Sequence, residues 1–87
     1  MIGIVYGKTF LKSAKLLPKL QQKKLALLLE IIQMNPFDER LHSKHLTGAL
    51  TGIVSFRITR DWRVMFQFMQ PDVIQLLRVA HRKDIYL

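Results

Sequence analysis

The sequence predicts an α+β domain of order β-α-α-β-β-β, a helical hairpin packed on a mainly antiparallel four-stranded sheet. Three observations predict it. A short β-branched and aromatic run opens the chain. Two leucine-bearing helical stretches follow, separated by little more than Pro18. The last third, residues 53–86, then breaks into three strand-like runs with cationic and aromatic residues along them.

Ile2–Tyr6 reads as the first strand, and Gly7 breaks it. Lys8–Leu17 reads as a short helix with Thr9 as its cap and Phe10, Ala14 and Leu17 on one face. Lys8, Lys12, Lys15 and Lys19 recur at spacings of four, three and four. Such a stripe suits either a solvated face or a phosphate backbone. Pro18 fits the first turn of a second helix, where its missing N–H costs nothing. That helix runs from about Lys19 to Met34, with Leu20, Leu27, Leu28, Ile31 and Ile32 as its apolar face, and Asn35-Pro36 ends it. Residues 37–50 are expected to form an irregular surface connection carrying His42, Lys44 and His45.

In the first late run Val54, Phe56 and Ile58 alternate with Ser55, Arg57 and Thr59. In the second Trp62, Val64, Phe66 and Phe68 alternate with Arg63, Met65 and Gln67. The pleat sends the aromatic rows under the helices and Arg57 and Arg63 to the other face. The third run, Val73–Ala80, is apolar on both sides, as a central strand covered twice would be. Its pattern leaves open whether Arg78 or His81 shares a face with Arg63.

Eighty-seven residues, 49% hydrophobic, make a single domain, 1–87, near the lower size for a self-sufficient core. Fourteen Lys and Arg against six Asp and Glu give a net charge of +8, which favours a polyanionic partner: nucleic acid, a ribosome or an acidic protein. With no cysteine there is neither a disulfide nor a thiol site. No signal peptide or membrane span is legible, and the expectation is a cytoplasmic protein with no membrane role. His42 and His45 lack further ligands for zinc, Ser43 and Ser55 lack a nucleophile elbow, and there is no glycine-rich phosphate loop. No metal or other cofactor is expected.

Four segments in register carry a family resemblance. They are His45-Leu46-Thr47-Gly48, Ser55-Phe56-Arg57-Ile58, Asp61-Trp62-Arg63-Val64-Met65-Phe66 and Arg78-Val79-Ala80-His81-Arg82-Lys83-Asp84-Ile85-Tyr86. Together with the element order they resemble the toxins of the RelE/ParE superfamily from type II toxin–antitoxin modules. The resemblance implies the RelE-like fold, a cognate antitoxin in a hetero-oligomer, and one of two activities: ribosome-dependent mRNA cleavage or gyrase poisoning. It places His45, Asp61 and His81 at catalytic positions of YafQ-like toxins, Arg63 on the arginine of the family's strand, and Tyr86 on the aromatic residue of RelE-like toxins. Two departures stand out. RelE has lysines where this chain has Ile53 and Ser55, and one YafQ-like histidine position is Ile58.

Metal-free RNA cleavage needs a base for the 2′-hydroxyl, cations for the phosphorane, an acid for the leaving oxygen and in-line positioning. Imidazole suits the proton transfers because its ordinary pKa, roughly 6.5, lies near working pH. Guanidinium suits the phosphorane because its planar fork meets two oxygens and does not titrate away. The expected roles follow. His81 transfers protons and Arg63 clamps the transition state. Tyr86 stacks or positions, Asp61 is a base or orients an imidazole, and His45 is a second acid or base. Arg57, Lys44, Arg82 and Lys83 grip the RNA backbone. Structural alternatives stand beside these: Asp61 as a turn residue, Arg57 as a strand residue facing solvent or pairing with Asp61, and His45 as an ordinary loop histidine. The functional alternatives are a ParE-like non-enzymatic inhibitor of DNA gyrase and an inactive RNA-binding relative. The last is disfavoured because Trp62, Phe66 and Phe68 are expected to face the core rather than RNA.

Overall fold

The structure, a computed structural model, describes residues 1–85. In chain order it forms β1 (Gly3–Tyr6), α1 (Lys8–Lys15), α2 (Lys19–Met34), β2 (Lys44–His45), β3 (Val54–Arg57), β4 (Trp62–Gln70) and β5 (Val73–His81). Single 3-10 turns lie at Glu39–Leu41, Gly48–Leu50 and Arg82–Asp84. The strands make one sheet in the order β1-β5-β4-β3-β2, with β1 parallel to β5 and every other pair antiparallel. The predicted α+β, mainly antiparallel architecture is present, with five strands rather than four. The extra strand, β2, lies in the segment expected to be irregular. Two residues carry no alternation for a sequence pattern to register.

The helices cover one face of the sheet. Phe10 and Leu17 pack there as expected, with Leu25, Leu28 and Ile32 of α2. Leu20 and Leu27, expected in that face, are instead 74% and 62% exposed. Leucines at 25, 27, 28 and 29 point in so many directions that the pattern does not fix the helix's rotation. The stripe 25–28–32 is the one the sheet selects. Gln22 turns back and donates from Nε2 to the carbonyl of Leu17 at 2.8 Å, which ties α2 to the end of α1.

Thr9 is not the cap of α1. The helix starts at Lys8, as expected, with Gly7 at the N-cap and no side-chain capping bond. Gly7 stands there because the backbone of β5 is close: its N–H donates to Leu76 O at 3.0 Å, and a Cβ would lie 2.6 Å from that oxygen. Beyond Leu76 β5 has no partner in β1, and α1 takes over the edge. Ser13 Oγ accepts the Val79 N–H at 2.9 Å.

The failed alternation of the third run has a physical cause. Met65 pairs with Arg78 and Phe66 with Leu76, so Leu77 is an extra residue, a β-bulge. The bulge resets the parity. Ile74, Leu76 and Val79 therefore all join the core under the helices, while Ala80 faces the other side. There Leu46, Met65, Ala80 and Ile85 form a second, smaller cluster. The central strand is thus covered on both faces.

Candidate functional site

Two cross-strand rows build the site on the face away from the helices. Arg57 pairs with Arg63, which pairs with Ala80. One row along, Lys44 pairs with Ser55, Ser55 with Met65 and Met65 with Arg78. The register therefore answers the open question of the sequence: Arg78, not His81, shares the face of Arg63. Arg78 is employed structurally, with Nη2 donating to the carbonyls of Asp84 at 3.3 Å and Ile85 at 3.2 Å. Those bonds hold the C-terminal turn over the sheet.

Beneath that turn lies a cleft of about 190 Å³ lined by Lys44, Leu46, Ser55, Arg63, Arg82 and Ile85. It has room for roughly six water-sized groups, enough for a phosphate and its ester oxygens. Its lining carries three cations and no carboxylate. Arg63 is partly buried, and its pKa is lowered first by that burial, then by Arg57 and Arg82. Arg57 Nε is buried with no hydrogen-bond partner among the described residues. Arg57 and Arg63 are like charges paired across the strands with no ion-pair partner among the described residues, an arrangement that costs stability.

The predicted site residues divide. Arg63, Arg82 and Lys44 come together in the cleft, with Arg57 opposite Arg63. Asp61 is exposed in the β3–β4 link. Its carboxylate lies 3.4 Å from Arg82 Nε and its carbonyl accepts the Arg82 N–H at 2.7 Å, so its partner is Arg82 rather than Arg57 or an imidazole. Lys83 is exposed in the turn that follows β5. His81 does not line the cleft. It pairs with Trp62, on the other side of the pleat from Arg63, and its ring meets the indole edge-on at 5.2 Å and 85°. His81 Nδ1 accepts the Lys83 N–H at 3.2 Å, which leaves Nε2 to carry the proton of the neutral ring. His45 pairs with Val54 and so belongs to the helix side of the sheet. Tyr86 lies outside the described residues. Sequence reasoning missed Leu46, Ser55 and Ile85 as cleft walls. Ser55 was within reach of it, since it shares the parity of Arg57.

Among the described residues there is no group of three or more His, Cys, Asp or Glu placed to hold a metal ion. No described helix is long and apolar enough to cross a membrane.

A two-helix layer on a sheet of order β1-β5-β4-β3-β2 is the fold of the RelE/ParE superfamily of toxins. Neither a family model nor a curated protein sequence matches the chain. Solved structures do. YafQ from E. coli matches over 100% of both chains at 19% identity and a TM-score of 0.80. The RelB–RelE antitoxin–toxin complex from Methanococcus jannaschii matches over 94% of both chains at 29% identity and a TM-score of 0.76. The E. coli DinJ–YafQ toxin–antitoxin complex matches over 99% of this chain and 98% of the other, at 18% identity and a TM-score of 0.78.

Proposed function

We infer that the chain is the toxin of a toxin–antitoxin pair, a ribosome-dependent endoribonuclease that cuts mRNA and so stops translation. The observation that carries this reading is the cleft itself: Arg63, Arg82 and Lys44 gathered around one phosphate-sized space, with the unpartnered Arg57 opposite Arg63. Arg63 clamps the non-bridging oxygens as charge grows on the phosphorane. Arg82 and Lys44 hold the backbone, Lys83 extends that grip, and Asp61 orients Arg82. His81 closes β5 on the helix side of the sheet and Arg82 opens the turn that follows and lines the cleft, so the end of β5 lies between the imidazole and the cleft. A phosphodiester lying there meets the guanidinium from one side and His81 Nε2 from the other, with Tyr86 as the candidate group to stack or position. The antitoxin is an acidic or amphipathic chain that covers the +8 surface. The toxin–antitoxin complexes among the matching structures support that partner.

One observation favours a second reading. The imidazoles lie outside the cleft, so the same cations would serve a non-enzymatic binder such as a ParE-like gyrase inhibitor. Expression from an inducible promoter separates the two. Loss of protein synthesis with mRNA cut inside codons, abolished by Arg63→Ala and by His81→Ala, supports the nuclease. DNA damage with intact mRNA supports the gyrase inhibitor and removes the nuclease.

A further inference from the structure

Phe37 leaves α2 through Asn35 and Pro36, and its ring lies nearly parallel to two others. It is 5.3 Å and 23° from the imidazole of His45, and 6.1 Å and 18° from the ring of Phe68. Three separate elements thus supply one set of stacked rings. All three are open to solvent, Phe37 at 45% and Phe68 at 38%. Phe68 was expected to be buried with Phe66. It lies on the same face of β4, but at the edge of the helical layer, where it leans against Phe66 at 5.9 Å.

The loop that presents Phe37 is held at several points. Its N–H donates to Asn35 Oδ1 at 3.0 Å, and Ser43 Oγ donates to the Pro36 carbonyl at 2.6 Å. Arg40 closes on the Asp38 carboxylate from both its backbone N–H and its guanidinium. Large apolar rings held this firmly, yet uncovered, are a preformed surface. Its position connects it to the cleft. Lys44 and His45 are the two residues of β2, Lys44 on the cleft side and His45 on the ring side.

We propose that His45, backed by Phe37 and Phe68, is the stacking surface for an RNA base adjacent to the phosphate held in the cleft. His45 then contributes the face of its ring and transfers no proton. This rests on the chain being an RNA-binding toxin. Flat parallel rings beside a cation row match single-stranded nucleic acid, where every base offers a π-face and every link a charge. The strand would bend round the two-residue edge of β2, phosphate on one side and base on the other.

The test uses the full chain and a short single-stranded oligoribonucleotide carrying 2-aminopurine, whose fluorescence falls on stacking. The wild type is expected to quench it. His45→Ala should lose the quench and bind about tenfold more weakly, whereas His45→Phe should keep both and leave the pH profile of mRNA cleavage unchanged. Thermal melting checks the fold of each variant, and His45→Leu replaces the alanine if that one unfolds. No quench with the wild type, a quench that survives His45→Ala or His45→Leu, or loss in His45→Phe as well, each overturns the proposal. A quench without mRNA cleavage removes the nuclease reading alone, and cleavage without a quench removes the stacking alone.

Discussion

Arg57 and Arg63 stand directly opposite each other on β3 and β4, two cationic residues paired across neighbouring strands. Like charges in that relation destabilise by a few tenths to about 1 kcal/mol, and the unpartnered Arg57 Nε adds a desolvation cost. Arg57→Leu is therefore expected to raise stability by about 0.5–1 kcal/mol and the melting temperature by about 2–8 °C. It should at the same time weaken RNA binding. Thermal denaturation alongside an RNA titration checks both. A lower melting temperature with full RNA affinity would show that the pair is a structural feature.

The cleft also sets a salt dependence. For single strands, log affinity falls by about 0.7 per decade of salt for each phosphate neutralised. Lys44, Arg63 and Arg82 should together supply a slope of about −2. Lys44→Ala is expected to lower the magnitude of the measured slope by about 0.7, and Lys8→Ala, on the exposed face of α1, by less. Equal changes for the two would mean that binding follows net charge and not the cleft.

Ser13 marks where the sequence stopped being legible. Its Oγ accepts the N–H of Val79 from across the domain, at a point where β5 has outrun β1. Nothing in a helical pattern announces that a mid-helix serine will finish a strand edge. Ser13→Ala leaves a part-buried N–H unpaired and should cost about 1–2 kcal/mol, read as a lower urea midpoint. An unchanged midpoint would mean that another group takes the bond.

Local patterns carried more than long-range ones. The extent of α2, its end at Asn35, and the placing of Arg57 and Arg63 on one face all follow from runs of residues whose period is visible. The bulge at Leu77 is not visible, because one extra residue in a doubly covered strand leaves both faces apolar. That single residue is why Arg78, rather than His81, joins the arginine face. His45 escaped for a related reason: a two-residue strand fixes its orientation by pairing with Val54, which no pattern in residues 37–50 encodes.

Gly7 tests the junction between sheet and helix. A Cβ at this position would lie 2.6 Å from the carbonyl oxygen of Leu76, a backbone atom that cannot swing away. Gly7→Ala is expected to cost about 1–3 kcal/mol, the range for forcing atoms into a packed region. The cost should appear in urea denaturation with the slope unchanged. A neutral result would show that β1 and α1 shift freely against β5.

Asp38 gives the fold an acid dependence whose sign can be worked out. The side-chain hydrogen bond from Arg40, then the Arg40 backbone N–H, lower its pKa from 3.8 to about 2. A carboxyl depressed in the folded state contributes stability that is fully present above its unfolded value and lost as pH falls through its folded one. The melting difference between the wild type and Asp38→Asn should thus be constant above pH 3.8, narrow as pH falls toward 2, and vanish below that. Because the pair is solvent-facing, the difference should be small and should shrink with added salt. The same carboxylate closes the turn that follows Phe37, so Asp38→Asn should also loosen the ring stack and raise the exchange rate of the Arg40 amide. A melting difference that persists below pH 2 would assign Asp38 a role independent of its charge.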